Sequence, residues 1–135
     1  MPSIPDPYQV PYISTGVDII EIDRIRSTLE RWGDRFLLRI YTEDERAYCR
    51  GRPPQLAARF AAKEAAMKAL GTGRQGVGWK EVEVHREPSG APAIRLHGRA
   101  AERAAVLGLT GFAVSMSHSR QYAVAFVIAT GGKSA

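Results

Sequence analysis

Residues 60–73, FAAKEAAMKALGTG, constrain this chain more than any other stretch. They read as the second half of a long helix and the glycine turn that stops it. Nearly every position is small or apolar, and a helix of Ala, Phe, Met and Leu buries most of its circumference. Lys63, Glu64 and Lys68 interrupt that pattern. Glu64 and Lys68 stand four residues apart, so they project from one helix face. A carboxylate and an ammonium on such a helix need a partner, a metal or a water-filled cleft. We read Glu64 as part of a divalent-cation site and Lys68 as facing a phosphate, with the rest of the chain supplying the remaining ligands.

A chain of 135 residues with 44% hydrophobic and 24% charged residues reads as one ordinary globular domain. No apolar run approaches the roughly 20 residues a membrane span needs. The N-terminal MPSIPDPYQVPY lacks the basic and apolar regions of a signal peptide. Cys49, the single cysteine, has no internal disulfide partner, which fits a reducing cytoplasm. The absence of CxxC and of paired histidines argues against structural zinc. The formal charge of +5 points to an anionic partner: phosphate, nucleic acid or an acidic protein.

Taken in order, residues 1–12 are a proline-rich extended arm, 13–130 a single domain, and 131–135 a tail. ISTGVDII (13–20) predicts a strand, with Asp18 among apolar neighbours; a strand-end carboxylate satisfied by backbone amides explains Asp18 equally well. EIDRIRSTLER (21–31) carries a helical period through Ile22, Ile25 and Leu29. Arg24, Arg31 and Arg35 lie on the other side, either as a solvated face balanced by Glu21, Asp23, Glu30 and Asp34 or as a basic ridge for an acidic partner. Gly33 breaks this helix, and DRFLLRI adds one or two turns. Thr42 and Glu45 form a capping box, a structural assignment. Pro53 and Pro54 open the long helix and Gly71 ends it.

The glycine-rich loop GTGRQGVGW, with Arg74, could wrap a phosphate but matches no phosphate-binding fingerprint. KEVEVHR and AIRLHG predict a hairpin across EPSGAP, and GRAAERAAVL a short helix. After a GLTGF turn come two strands, AVSMSHS and QYAVAFVIAT, joined near Arg120. The last is continuously apolar, so both its faces are expected to be covered. The order predicts an α+β fold with an antiparallel sheet packed against a long helix and shorter helices.

SMSHSR (115–120) gathers Ser115, Ser117, His118, Ser119 and Arg120 at a strand end. Nucleophilic catalysis by a serine with His118 lacks a GxSxG elbow. Phosphate binding by hydroxyls, imidazole and guanidinium, or a plain hydrogen-bonded turn, fits as well. Two carboxylates without a His or Cys ligand suit a hard cation, Mg²⁺, which keeps waters and takes phosphate oxygens. The residues together describe a Mg²⁺-dependent site for a polyphosphorylated ligand.

Three blocks, GVDIIEIDRI (16–25), RFAAKEAAMKALGTG (59–73) and VSMSHSRQYAVAFVI (114–128), carry a resemblance. In their order and spacing the chain resembles the short bacterial holo-acyl-carrier-protein synthases of the 4′-phosphopantetheinyl transferase superfamily, over about residues 13–130. Met116, where a β-branched residue is more usual, and the proline-rich arm depart from the pattern.

The resemblance implies transfer of 4′-phosphopantetheine from coenzyme A to a serine of apo-acyl carrier protein, releasing adenosine 3′,5′-bisphosphate, in fatty acid biosynthesis. It implies Asp18 and Glu64 as Mg²⁺ ligands and Lys68 on the phosphate side. Arg59, Gly71, Ser117, His118 and Ser119 would meet the coenzyme, with Arg59 and His118 near the adenosine 3′-phosphate and pyrophosphate. A carboxylate or a metal-bound water takes the serine proton; Glu64, or a water it orients, is our choice. The resemblance further implies a homotrimer with sites between subunits, and docking of the acidic carrier protein on Arg24, Arg31 and Arg35.

Two other classes compete with this reading. A nucleic-acid-binding module fits the positive charge but lacks an RNP-like strand, a helix-turn-helix or a GXXG loop. A non-catalytic trimeric scaffold leaves Asp18, Glu64 and Lys68 without a purpose. We therefore expect no nucleic-acid partner and no membrane.

Overall fold

The structure, a computed structural model, describes residues 12–72 and 76–131. Residues 1–11 of the arm expected at 1–12, residues 132–135 of the tail expected at 131–135, and Arg74 of the glycine-rich loop lie outside them, whereas Tyr12 and Gly131 belong to strands. The chain begins with β1 (Tyr12–Glu21), followed by α1 (Ile22–Trp32), α2 (Asp34–Ile40), α3 (Glu43–Cys49) and α4 (Pro53–Leu70). A 3₁₀ turn, Trp79–Glu81, leads into β2 (Val82–Arg86) and β3 (Pro92–Leu96); α5 (Gly98–Leu107), β4 (Leu109–His118) and β5 (Tyr122–Gly131) complete it. β1, β5 and β4 form one antiparallel sheet in that order, and β2 and β3 a separate hairpin.

The long helix is where the sequence places it. Pro53 and Pro54 occupy the first turn, where the missing N–H groups cost nothing, and Gly71 ends it at φ 71°. Its alanines let strands approach closely. Gly16 of β1 lies so near α4 that a Cβ there would sit 1.8 Å from the Ala65 carbonyl oxygen. Two residues before it, the Ser14 hydroxyl donates to the Ala69 carbonyl at 2.6 Å. β1 therefore lies directly across the second half of α4, and the even-numbered residues of β1, Asp18 among them, face the helix.

Three expectations need correction. The wholly buried charge on α4 is Lys63, whereas Glu64 is half-buried and Lys68 exposed. Lys63 Nζ lies 2.7 Å from Glu45 Oε1 and donates to the Trp79 and Val82 carbonyls. Glu45 does close the capping box with Thr42, but it also takes the Val84 N–H at 2.9 Å. The GLTGF segment is strand, because β4 starts at Leu109 and reaches register through an irregularity between Leu109 and Gly111.

The third correction concerns β5. Its odd-numbered residues Ala123–Ala129 are buried against α4, but Tyr122 and Phe126 are exposed. Phe126 pairs with Val17, and Val124 with Ile19, so the outer face of the sheet is an open apolar surface in the single chain.

Candidate active site

Asp18 reaches its position through β1 and Glu64 through α4. Both line one cleft of about 240 Å³, together with Ile19, Ile20, Arg24, Ile25, Thr28, Phe36 and Phe60. Phe60 and Glu64 are one turn apart on α4, so they wall the same side. Lys68, one turn further, donates to the Val17 carbonyl at 2.9 Å, and its Nζ lies 3.4 Å from Asp18 Oδ1. The Asp18 side chain is 20% exposed and that of Lys68 53%, so the pair sits at the mouth of the cleft in contact with water. Arg24, read from the sequence as a docking residue, lines this cleft as well.

Phe60 stacks on Trp79 with ring centroids 4.8 Å apart. Trp79 is in turn held through its carbonyl by Lys63. The cleft wall is thus tied to the segment that follows the glycine-rich loop. Among the described residues no group of three or more His, Cys, Asp and Glu side chains converges for a metal. Two carboxylates open to water are a donor set for a cation that keeps waters and shares phosphate oxygens, the coordination habit of Mg²⁺.

The second group of predicted residues lines a different cleft, of about 170 Å³. It contains Arg59, Ser117 and His118 together with Tyr48, Gln55, Ala58, Arg86, Gly90, Pro92 and Met116. The two linings share no residue. The helix explains why: Arg59 and Glu64 are five residues apart, which turns them about 140° from each other. Within one chain, Asp18, Glu64 and Lys68 come together, and Arg59, Ser117 and His118 come together, but on separate flanks of α4.

Arg59 is 4% exposed, and its guanidinium lies 4.0 Å from the Tyr48 ring centroid. Its Nη1 makes a long contact with the Gln55 carbonyl at 3.5 Å, and its Nε is buried with no hydrogen-bond partner. A buried donor of a cation left unmatched is costly, so an acceptor from a ligand fits this position. Ser119 instead serves the β4–β5 turn, its hydroxyl accepting the Gln121 and Tyr122 N–H groups. Gly71 caps α4, donating to the Lys68 and Met67 carbonyls, and lines neither of these two clefts.

Of the three arginines, Arg24 and Arg31 lie on α1 and Arg35 on α2, across the break at Gly33. Arg31 and Arg35 both approach the exposed Trp32 ring, at 5.0 and 5.7 Å. Arg35 also lines a groove with Thr28, Trp32, Phe36 and Arg39. Sequence reasoning missed Tyr48 and Arg86 beside Arg59, since nothing in their spacing links α3, α4 and the β2–β3 hairpin.

Comparisons with known proteins identify the family. The 4′-phosphopantetheinyl transferase superfamily matches residues 14–127. A holo-[acyl-carrier-protein] synthase of Herpetosiphon aurantiacus is 51% identical over 124 residues, covering 87% of this chain and 98% of the relative. That of Koribacter versatilis is 53% identical over 120 residues, covering 86% and 96%. Among solved structures, the Helicobacter pylori holo-[acyl-carrier-protein] synthase in complex with coenzyme A superposes with a TM-score of 0.79 at 29% identity, covering 86% of this chain and 99% of that one. The chain belongs to the 4′-phosphopantetheinyl transferase superfamily and, within it, to the holo-[acyl-carrier-protein] synthases. It is an enzyme whose fold is that of the family, and no helix among the described residues is long and apolar enough to cross a membrane.

Proposed function

We propose that this enzyme transfers the 4′-phosphopantetheine group of coenzyme A to a serine of apo-acyl carrier protein in a Mg²⁺-dependent reaction. The serine oxygen forms a bond to the β-phosphorus, the pyrophosphate bond breaks, and adenosine 3′,5′-bisphosphate leaves. The observation that carries this reading is the convergence of Asp18 and Glu64 in one cleft with Lys68 at its mouth. Asp18 and Glu64 hold the Mg²⁺, which when bound neutralises phosphate charge and polarises the phosphoryl group. Lys68 adds positive charge on the phosphate side, and Glu64 or a water it orients accepts the serine proton. Family membership and the coenzyme A complex of a structural neighbour support the choice of donor.

The active assembly is a homotrimer with sites between subunits. Two observations support it: the open apolar sheet face around Val17, Ile19 and Phe126, and the placement of the two predicted residue groups on opposite flanks of α4. A subunit boundary brings the Asp18–Glu64 cleft of one chain to the Arg59–His118 cleft of another. Arg24, Arg31 and Arg35 dock the acidic carrier protein, an attraction that weakens with salt. The reaction serves fatty acid biosynthesis in the cytoplasm, where the buried free thiol of Cys49 stays reduced.

Intact-mass spectrometry of an apo-acyl carrier protein incubated with the enzyme, coenzyme A and Mg²⁺ tests this. The carrier gains the mass of one phosphopantetheine, and the gain disappears with EDTA and in the Asp18→Ala/Glu64→Ala variant. No gain across several carrier proteins, from folded enzyme that binds coenzyme A, overturns the reading.

A further inference from the structure

Two aromatic side chains line the Asp18–Glu64 cleft, and each is backed by a second ring. On the α4 side Phe60 stacks on Trp79, with centroids 4.8 Å and planes 26° apart. On the α2 side Phe36 meets Tyr41 edge to face at 5.7 Å. Lys63 reaches both backing residues. Its Nζ donates to the Trp79 carbonyl at 3.0 Å and lies 5.9 Å from the Tyr41 ring centroid. The Tyr41 hydroxyl in turn donates to the Leu56 carbonyl of α4 at 2.8 Å.

Trp79 is held from three directions, although it stands in a 3₁₀ turn of three residues. Lys63 grips its carbonyl. Glu81, two residues on, accepts the Gly78 N–H at 2.8 Å and the Ala100 N–H at 3.2 Å, which fastens the turn to the start of α5. The half-buried indole packs against both hydrophobic clusters of the core. Phe60 is half-buried as well, with the cleft on one side and the indole on the other. A smaller side chain at 79 leaves a void behind Phe60, and neighbours of a void relax partly into it. The wall one turn from Glu64 then recedes from the cleft.

We propose that Trp79 is a positioning residue for the acceptor: through Phe60 it fixes the width of the Asp18–Glu64 cleft, and with it the approach of the carrier protein's serine. This rests on the transfer reaction proposed above. Arg24, one of the three arginines assigned to carrier docking, lines this cleft, whereas Arg59 and His118 line the other. A receding Phe60 therefore disturbs the seating of the serine and not the hold on the nucleotide end of coenzyme A. The sequence carries no sign of this, because Phe60 and Trp79 lie in different elements and meet only in the fold.

The test measures transfer to apo-acyl carrier protein, with saturating Mg²⁺, by the wild type, Trp79→Leu, Trp79→Phe, Phe60→Leu and Trp79→Leu/Phe60→Leu. Rates are referred to the concentration of sites that bind coenzyme A in calorimetry, so an unfolded fraction does not enter. Trp79→Leu lowers kcat/KM for the carrier about tenfold, less than the hundredfold that a misplacement of about 1 Å can cost. Its KM for coenzyme A stays that of the wild type. Trp79→Phe keeps a ring to stack and recovers most of the rate. Phe60→Leu loses a similar factor, and adding Trp79→Leu to it costs nothing more, because Trp79 acts through Phe60. If Trp79→Leu does not fold, Trp79→Met replaces it in both the single and the double variant, with the same outcomes expected. Losses that multiply in the double variant overturn the inference while leaving the transfer reaction standing. So does a KM for coenzyme A that rises as much as the carrier's kcat/KM falls, or a Trp79→Leu as active as the wild type. A wild type that transfers nothing to the carrier defeats the transfer reading and the inference with it.

Discussion

Lys63 Nζ lies 2.7 Å from Glu45 Oε1, and both side chains are wholly buried. The ammonium spends its other donors on the Trp79 and Val82 carbonyls, and the carboxylate accepts the Thr42 and Val84 N–H groups. One ion pair therefore ties together the N-terminus of α3, the middle of α4 and the strand that follows the glycine-rich loop. Burial pushes the Lys63 ammonium below its ordinary range, and the Glu45 carboxylate opposes that shift.

Removing one partner of such a pair leaves the other charge buried and unmatched. Lys63→Met is expected to cost about 3–5 kcal/mol, against less for Lys63→Met/Glu45→Met, which removes both charges. Urea unfolding of the two variants and the wild type measures this. A double variant less stable than the single one would show that the hydrogen bonds to the backbone, rather than the charge balance, carry the stability.

Gly16 sets the distance between β1 and α4. A methyl group there meets the Ala65 carbonyl oxygen, which belongs to the helix backbone and does not swing aside. Gly16→Ala forces the strand off the helix, and overpacking of this kind costs about 1–3 kcal/mol. Asp18 is two residues on, so the same shift moves it away from Glu64. The expected result is a lower thermal midpoint and, at a temperature where the variant is fully folded, a loss of transferase activity larger than any loss of coenzyme A binding. Unchanged activity in the folded variant would show that the Asp18–Glu64 spacing tolerates the movement.

How far the sequence could be read follows the physics of each feature. The helix at 53–70 is legible from local signals: prolines at its start, glycine at its end and a run rich in alanine between them. Asp18 and Glu64 stood out because single carboxylates in apolar surroundings are costly, and they do share a cleft. The same argument applied to Lys63, but its partner lies on another helix, and spacing along one chain does not report such a meeting. The Tyr48–Arg59–Arg86 cluster was hidden for the same reason. β5 reads as apolar throughout, yet one face is open in the single chain; a continuous apolar run does not say whether its cover comes from the same chain or from another.

Cys49 gives the stability a particular alkaline dependence. Burial pushes its thiol from the ordinary 9.0 up to about 11, with the Arg59 guanidinium opposing the rise and Glu45 adding to it. The folded state then keeps a proton that the unfolded state releases above about pH 9. Stability is fully present below that pH and falls as the pH rises toward 11, by at most about 1.4 kcal/mol per pH unit from this group. Buried Tyr41, held above its ordinary range, adds a loss of the same sign above pH 10, whereas the depressed Lys63 works in the opposite direction. Cys49→Ala leaves the other two groups in place. Its stability should therefore decline less steeply than that of the wild type between pH 9 and 10, as read by urea unfolding at a series of pH values. Equal slopes would mean that the thiol titrates alike in both states.

In the proposed homotrimer, the outer face of the β1–β5–β4 sheet ties assembly to chemistry. Val17, Ile19 and Phe126 are 53%, 63% and 42% exposed in the single chain, and they sit side by side through the Val17–Phe126 and Ile19–Val124 register. A glutamate at an exposed position disturbs the fold of one chain by about 0.5 kcal/mol or less. Buried between subunits, it leaves an unpaired charge in an apolar contact, which no assembly of this size absorbs cheaply. If the assembly is the proposed homotrimer, Phe126→Glu should keep its circular dichroism spectrum while its mass in light scattering falls from that of three 14.8 kDa chains to that of one. If the Asp18–Glu64 cleft works only against a neighbour's Arg59–His118 cleft, the same variant loses transfer to the carrier protein, although neither cleft has been touched. An active, monomeric Phe126→Glu would place a complete site within one chain; an unchanged trimer would move the interface elsewhere.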